Sequence, residues 1–169
     1  MAKSLEFRGA AGVFFRWLEL LLKTLVIIGN GLMLLLVFAQ VITRYLFDYT
    51  PSFGEELARY LFVWVVFLSL PLVARYGGHM AIETLTSRVK GGWLKFLNVC
   101  ADVFTIVFMG VMVWYGILMV SRTSFQTSPA MMIPMSWVYA VIPFGCGALL
   151  LYAVANLINV IGTPSEEIK

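Results

Sequence analysis

At 61% hydrophobic and 12% charged over 169 residues, this chain is far more apolar than soluble domains, which run at about half and about a quarter. A protein of that size cannot hide so much apolar surface from water, and its apolar runs are continuous rather than alternating, which favours helices over a membrane β-barrel. The net charge of +3 is small, and the basic residues stand at the ends of apolar runs, a pattern for a membrane surface and against nucleic acid.

Residues 1–23 carry Lys3, Arg8, Arg16 and Lys23, with Val13, Phe14, Trp17, Leu18, Leu21 and Leu22 at helical spacing. Two readings stand open: an amphipathic helix lying on the membrane, or the wet end of the first span. Glu6, Arg8, Arg16, Glu19 and Lys23 interrupt the stretch, so it does not read as a cleavable signal peptide. Thr24 to Thr43 is then twenty residues without a charge. At about 1.5 Å per residue that is roughly 30 Å, the thickness of a bilayer core, so a first span is predicted over about 24–45. Asn30 and Gln40 lie inside it and are expected to face other helices, because an unpaired amide in lipid is costly.

The second span is predicted over 53–75. Ser52, Phe53, Gly54 and Glu55 read S-x-x-E, a capping box at a helix start, and Glu55 and Arg59 stand four apart in the order that favours an ion pair. Tyr60 to Ala74 carries no charge, and Arg75 closes the run before Gly77-Gly78. Pro71 removes one N–H and leaves the Phe67 carbonyl short of its partner, so a kink is expected between them. Residues 75–95 form a polar connector in which Met80, Ile82, Leu85 and Val89 suggest an interfacial helix over 79–92. The third span is predicted over 96–120 with Asp102 inside it. The loop SRTSFQTSPAMMIPM, 121–135, precedes a fourth span over 136–161, with Ser136 as its cap. Gly145, Gly147 and Ala148 would admit a neighbouring helix closely, and 163–169 is a polar tail after a single membrane domain.

The fold class is therefore an all-α integral membrane protein of four spans. The N-terminus, the connector and the tail share one side and hold nine Lys or Arg against three on the other, Arg44, Arg59 and Arg122. That asymmetry places both termini in the cytoplasm.

Catalytic chemistry is poorly supplied. His79 is the one histidine, which excludes a bis-histidine haem or a histidine metal cluster, and no phosphate loop or nucleophile motif occurs. No cofactor is expected. Cys100 and Cys146 fall in or near apolar runs and read as small buried side chains. Glu55, Glu56 and Arg59 read as a braced helix start rather than a substrate site. Asp102 is the best intramembrane acid and reads chiefly as an inter-helix or inter-subunit polar contact, with ion coupling as its alternative.

The blocks R-Y-L-F at 44–47, G-E-E-L-A-R-Y at 54–60, F-V-W at 62–64, A-R-Y-G-G-H-M at 74–80 and I-P-M-S-W-V-Y-A-V-I-P-F-G at 133–145 together resemble the small membrane subunit of tripartite ATP-independent periplasmic (TRAP) transporters. The resemblance covers nearly the whole chain and departs at Ser69-Leu70-Pro71, where smaller residues are expected. It implies a secondary transporter of the bacterial inner membrane in three parts. A periplasmic binding protein captures an organic acid such as sialic acid or a dicarboxylate. A large membrane subunit moves it on a sodium gradient, and the small subunit scaffolds the large one and helps dock the binding protein. On that resemblance Glu55, Glu56, Arg59, Arg75 and His79 are fold and subunit-interface residues. The docking surface expected on the non-cytoplasmic side includes Asp48, Glu55 and Arg122. The alternatives are a self-sufficient dimeric transporter with Asp102 as its coupling acid, and a membrane oxidoreductase using Cys100 and Cys146.

Overall fold

The computed structural model describes residues 10–49, 51–77 and 92–162. Helix α1 is Ala10–Phe47, α2 is Ser52–Gly77, α3 is Gly92–Arg122, α4 is Met135–Tyr139 and α5 is Val141–Gly162. Among the described residues four stretches are long and apolar enough to cross a membrane: Gly12–Phe47, Ser52–Arg75, Phe96–Arg122 and Met135–Ile158. Among the described residues the extended pairing is one isolated antiparallel bridge, Thr127 with Pro134. The chain is an all-helical membrane protein. The predicted interfacial helix over 79–92, with His79, lies outside the described residues up to Gly92, where α3 begins.

The helices are not closed into a bundle. Among the described residues packing runs α1 on α2, α2 on α5 and α5 on α3, with α1 also touching α5 where Phe15 meets Tyr152, and with no comparable packing of α1 or α2 on α3. The four spans therefore make one layer, with α2 and α5 inside and α1 and α3 at its two ends. Leu22, Leu68 and Val141 are its buried apolar cluster, with Val63, Phe67 and Ile142 packed against them. The end helices present long apolar faces outward, among them Ile27, Leu34 and Phe38 on α1 and Phe104 and Val107 on α3.

Two prolines and two glycines set how close the inner helices come. Pro71, fully buried, has no N–H for the Phe67 carbonyl four residues back. The backbone of Gly145 on α5 lies directly against that carbonyl, and a Cβ there would overlap its oxygen. The freed acceptor thus meets the neighbouring helix rather than lipid. On the other side of α5, a Cβ on Gly116 of α3 would stand 3.1 Å from Pro143 Cδ. Pro143 also interrupts the hydrogen bonding of the fourth span: without its N–H the Tyr139 carbonyl has no helical partner, while Ala140 keeps helical dihedrals and the span runs on.

The helix starts differ from the capping signals. The Gly54 N–H bonds to the Pro51 carbonyl at 3.0 Å, so Pro51 occupies the cap and Ser52 already lies within the helix. Pro134 likewise stands at the N-cap of α4 with no side-chain cap bond, displacing Ser136 into the first turn. Gln40 packs on Gly54 as expected of a span amide, its Nε2 3.0 Å from where a Cβ would be. Asn30 does not face a helix of this chain. It is exposed and donates to the Val26 carbonyl of its own helix at 2.9 Å.

Gly145→Ala is expected to force α5 off the Phe67 carbonyl, at a cost of about 1–3 kcal/mol. Gly147, where a Cβ would meet nothing within 4 Å, supplies the control, since Gly147→Ala should be neutral or slightly stabilising. Thermal unfolding of both variants in the same detergent reads the difference.

Candidate functional site

Polar side chains gather in three knots, each joining elements that the sequence separates. The first lies where α2 meets the 123–134 loop. Glu56 is 7% exposed. Its Oε1 accepts from the Tyr60 hydroxyl, and its Oε2 accepts the Ala130 and Met131 N–H groups, both at 2.9 Å. The loop is cross-tied besides. Ser128, fully buried, donates its N–H to the Ile133 carbonyl at 2.9 Å and accepts the Ile133 N–H on its hydroxyl at 3.3 Å. The Met135 N–H reaches the Gln126 carbonyl at 2.8 Å. These bonds hold Met132 at φ 55°, a left-handed conformation uncommon for a side chain of that kind.

The second knot joins α3 to α5. Asp102 is 2% exposed. Asn156 Nδ2 lies 3.1 and 2.9 Å from its two carboxylate oxygens. The third joins α1, α2 and α5. Glu19 pairs with Arg75 at 2.6 Å and with Lys23, one turn on, at 2.7 Å. Arg75 stacks over the Tyr152 ring at 5.9 Å, and the Tyr152 hydroxyl donates to the Phe15 carbonyl at 3.2 Å. Each knot removes an acid from lipid by giving it donors from a second element, which is how a buried carboxylate is tolerated.

The other predicted site residues lie apart from these knots. Glu55 and Arg59 are exposed on α2, and no ion pair within 4 Å joins them, contrary to the expected pairing; the described ion pairs are those of Glu19. Asp48, at φ 50° just past α1, and Arg122, at the end of α3, are both exposed. His79 lies outside the described residues. Cys146 is buried as expected, whereas Cys100 is exposed, contrary to its reading as a buried side chain, and both are free thiols. Among the described residues no group of three His, Cys, Asp or Glu could hold a metal ion. A cavity of about 810 Å³ opens beside the first knot, lined by Tyr49, Ser52, Arg59, Tyr60, Pro129 and Tyr139 among others.

Sequence reasoning passed over Glu19, Tyr152 and Asn156. Their signal was present: each is a polar group within or at the margin of an apolar run. Such a group needs a partner.

Residues 33–163 match the family described as tripartite ATP-independent periplasmic transporters, DctQ component. The chain belongs to that family. A TRAP transporter small permease protein of Haemophilus influenzae is 29% identical over 125 residues, covering 73% of this chain and 75% of its own. Two longer relatives match over a fraction of their length. The sialic acid TRAP transporter permease protein SiaT of Haemophilus influenzae is 28% identical over 64% of this chain and 18% of its own. The isethionate TRAP transporter permease protein DctMQ of Oleidesulfovibrio alaskensis is 22% identical over 86% of this chain and 25% of its own. The DctQ component is a membrane subunit of a transporter, not an enzyme.

Glu56→Ala would leave two N–H groups and a phenol without their acceptor, each costing about 1–3 kcal/mol if it stays buried. The expected outcome is a loosened 123–134 loop, read as at least tenfold faster chymotrypsin cleavage after Phe125 in detergent, with Glu55→Ala unchanged.

Proposed function

We propose that this chain is the small membrane subunit of a TRAP transporter, a brace for a large permease subunit that carries an organic acid inward on a sodium gradient. The observation that carries the reading is the employment of its buried acids. Glu19, Glu56 and Asp102, the buried acids among the described residues, are each committed to holding one element of this chain to another. A chain whose acids are spent on its own architecture suits a scaffold. Asp102 as a coupling acid is disfavoured on the same ground, since Asn156 occupies both its oxygens.

The large permease is the partner that small permeases of this family work with, and a periplasmic substrate-binding protein is the third component. The distribution of Lys and Arg supports both termini in the cytoplasm of a bacterial inner membrane. On that orientation Asp48, Glu55, Arg122 and the 121–135 loop lie on the periplasmic side, where the binding protein docks. Glu56, Arg75 and Asp102 act in holding the subunit together. The substrates named for the two longer relatives, sialic acid and isethionate, are both anions, which supports an acid as cargo.

The test is reconstitution of the large permease and binding protein in liposomes, with and without this chain. Sodium-driven uptake should fall at least tenfold without it, and undiminished uptake would refute the reading. In the complete system, charge reversal at Asp48 or Arg122 should raise several-fold the binding-protein concentration giving half-maximal uptake.

A further inference from the structure

The side chains of α2 have three surroundings. One side meets α1, with Gly54 under Gln40 and a Cβ on Gly29 of α1 2.8 Å from Val65. A second meets α5 through Phe67 and the loop through Glu56. Part of the side opposite the third is bare about Phe53 and Trp64, and the whole of the third is bare. Glu55, Arg59, Phe62, Val66 and Val73 are all exposed. Their spacing of four, three, four and seven keeps them on one stripe of the helix, the register of a helix–helix seam. Ser69 falls in the same stripe and turns its hydroxyl back to the Val66 carbonyl at 2.8 Å. Because α2 is an inner helix of a single layer, this stripe runs down the middle of a broad face. Arg75 lies about 160° round the helix from Val73, where Phe15 and Tyr152 cross over it.

Arg59 sets this stripe apart from the apolar faces of the end helices. It stands about 10 Å along α2 from Ser52, inside the Ser52–Arg75 span. It is exposed and makes no ion pair. The neighbouring acid, Glu56, has its oxygens filled by Tyr60, Ala130 and Met131. A basic charge within a span is costly unless something pairs with it or it reaches the interface. The cavity of about 810 Å³ that Arg59 lines leaves room for a side chain to reach the guanidinium.

We infer that the Glu55–Val73 stripe of α2 seats a transmembrane helix of the large permease, and that a carboxylate on that helix pairs with Arg59. The inference rests on the brace reading and adds to it which face of the layer is covered and by what chemistry. Phe62, Val66 and Val73 supply the packing, and Arg59 supplies register and orientation through a planar fork that takes a carboxylate on two bonds. The α1 face is apolar over the turns of Ile27, Leu34 and Phe38, which suits it to lipid there.

The test places a photo-crosslinking amino acid singly at Phe62, Val66 and Val73, and at Ile27 and Leu34 for comparison, in tagged chain co-expressed with the large permease. In membranes the three stripe positions should each yield an adduct of the size of the two subunits together, and the α1 positions should not. Arg59→Glu should cut recovery of the large permease at least tenfold, and Arg59→Lys should retain most of it. Adducts from the α1 positions alone overturn the inference while the complex still purifies. So do stripe adducts with lipid or with a second copy of this chain. Failure of the unmodified chain to recover the large permease at all overturns the brace reading instead.

Discussion

The backbone of α5 meets the backbone of α2 where Pro71 has left a carbonyl without its donor. Much of the molecule follows from that contact. Gly145 is the residue that permits it, because any Cβ would collide with the Phe67 oxygen. With α5 held this near, Tyr152 reaches Phe15 and stacks on Arg75 at one end of the layer. At the other end the chain leaving α3 doubles back over the start of α2, where Glu56 takes two of its N–H groups. The opposite flank of α5 takes α3 through Gly116 on Pro143 and Asn156 on Asp102. A membrane protein gains little from apolar contact between helices, since lipid is as apolar as leucine. Close backbone approach and buried polar bonds are what remain, and α5 takes part in both, with Gly145 on Phe67 and Asn156 on Asp102.

The four spans were legible in the sequence because hydropathy and length are local properties. Pro71 and Gly145 were each legible alone, as a freed carbonyl and as a place for close approach; that they meet is a fact of tertiary structure. Asn30 and Gln40 looked alike, two amides in one apolar run. They lie about 80° apart round α1, enough to put Gln40 against α2 and leave Asn30 outside. Glu55 and Glu56 are adjacent and differ in the same way. The S-x-x-E pattern drew attention to Glu55, yet the acid turned inward is Glu56, because its acceptors are needed by a loop 74 and 75 residues further on. Separations of that kind leave no local signal.

A single layer of helices is an unusual way to sit in a membrane alone. Its inner helices keep two broad faces, and here one carries an arginine that makes no ion pair with any described residue. The buried acids have been consumed in making the layer stiff at both ends, and the loop beyond the membrane is cross-tied to it. Such an object has a fixed shape and an unfinished surface. Those are the properties of a part made to be joined to something larger, and membership of a transporter family in which small permeases work with large ones gives that part its context.

The layer itself is the point on which this depends, and the separation of its two end helices measures it. Spin labels at Ile27 of α1 and Val111 of α3, in the purified chain in lipid nanodiscs, sit three helix-to-helix steps apart, roughly 25–30 Å at about 8–10 Å per step. A dipolar distance distribution centred in that range is the expected result. A distribution centred below about 15 Å, the diagonal of a closed four-helix bundle at the same spacing, would contradict the account.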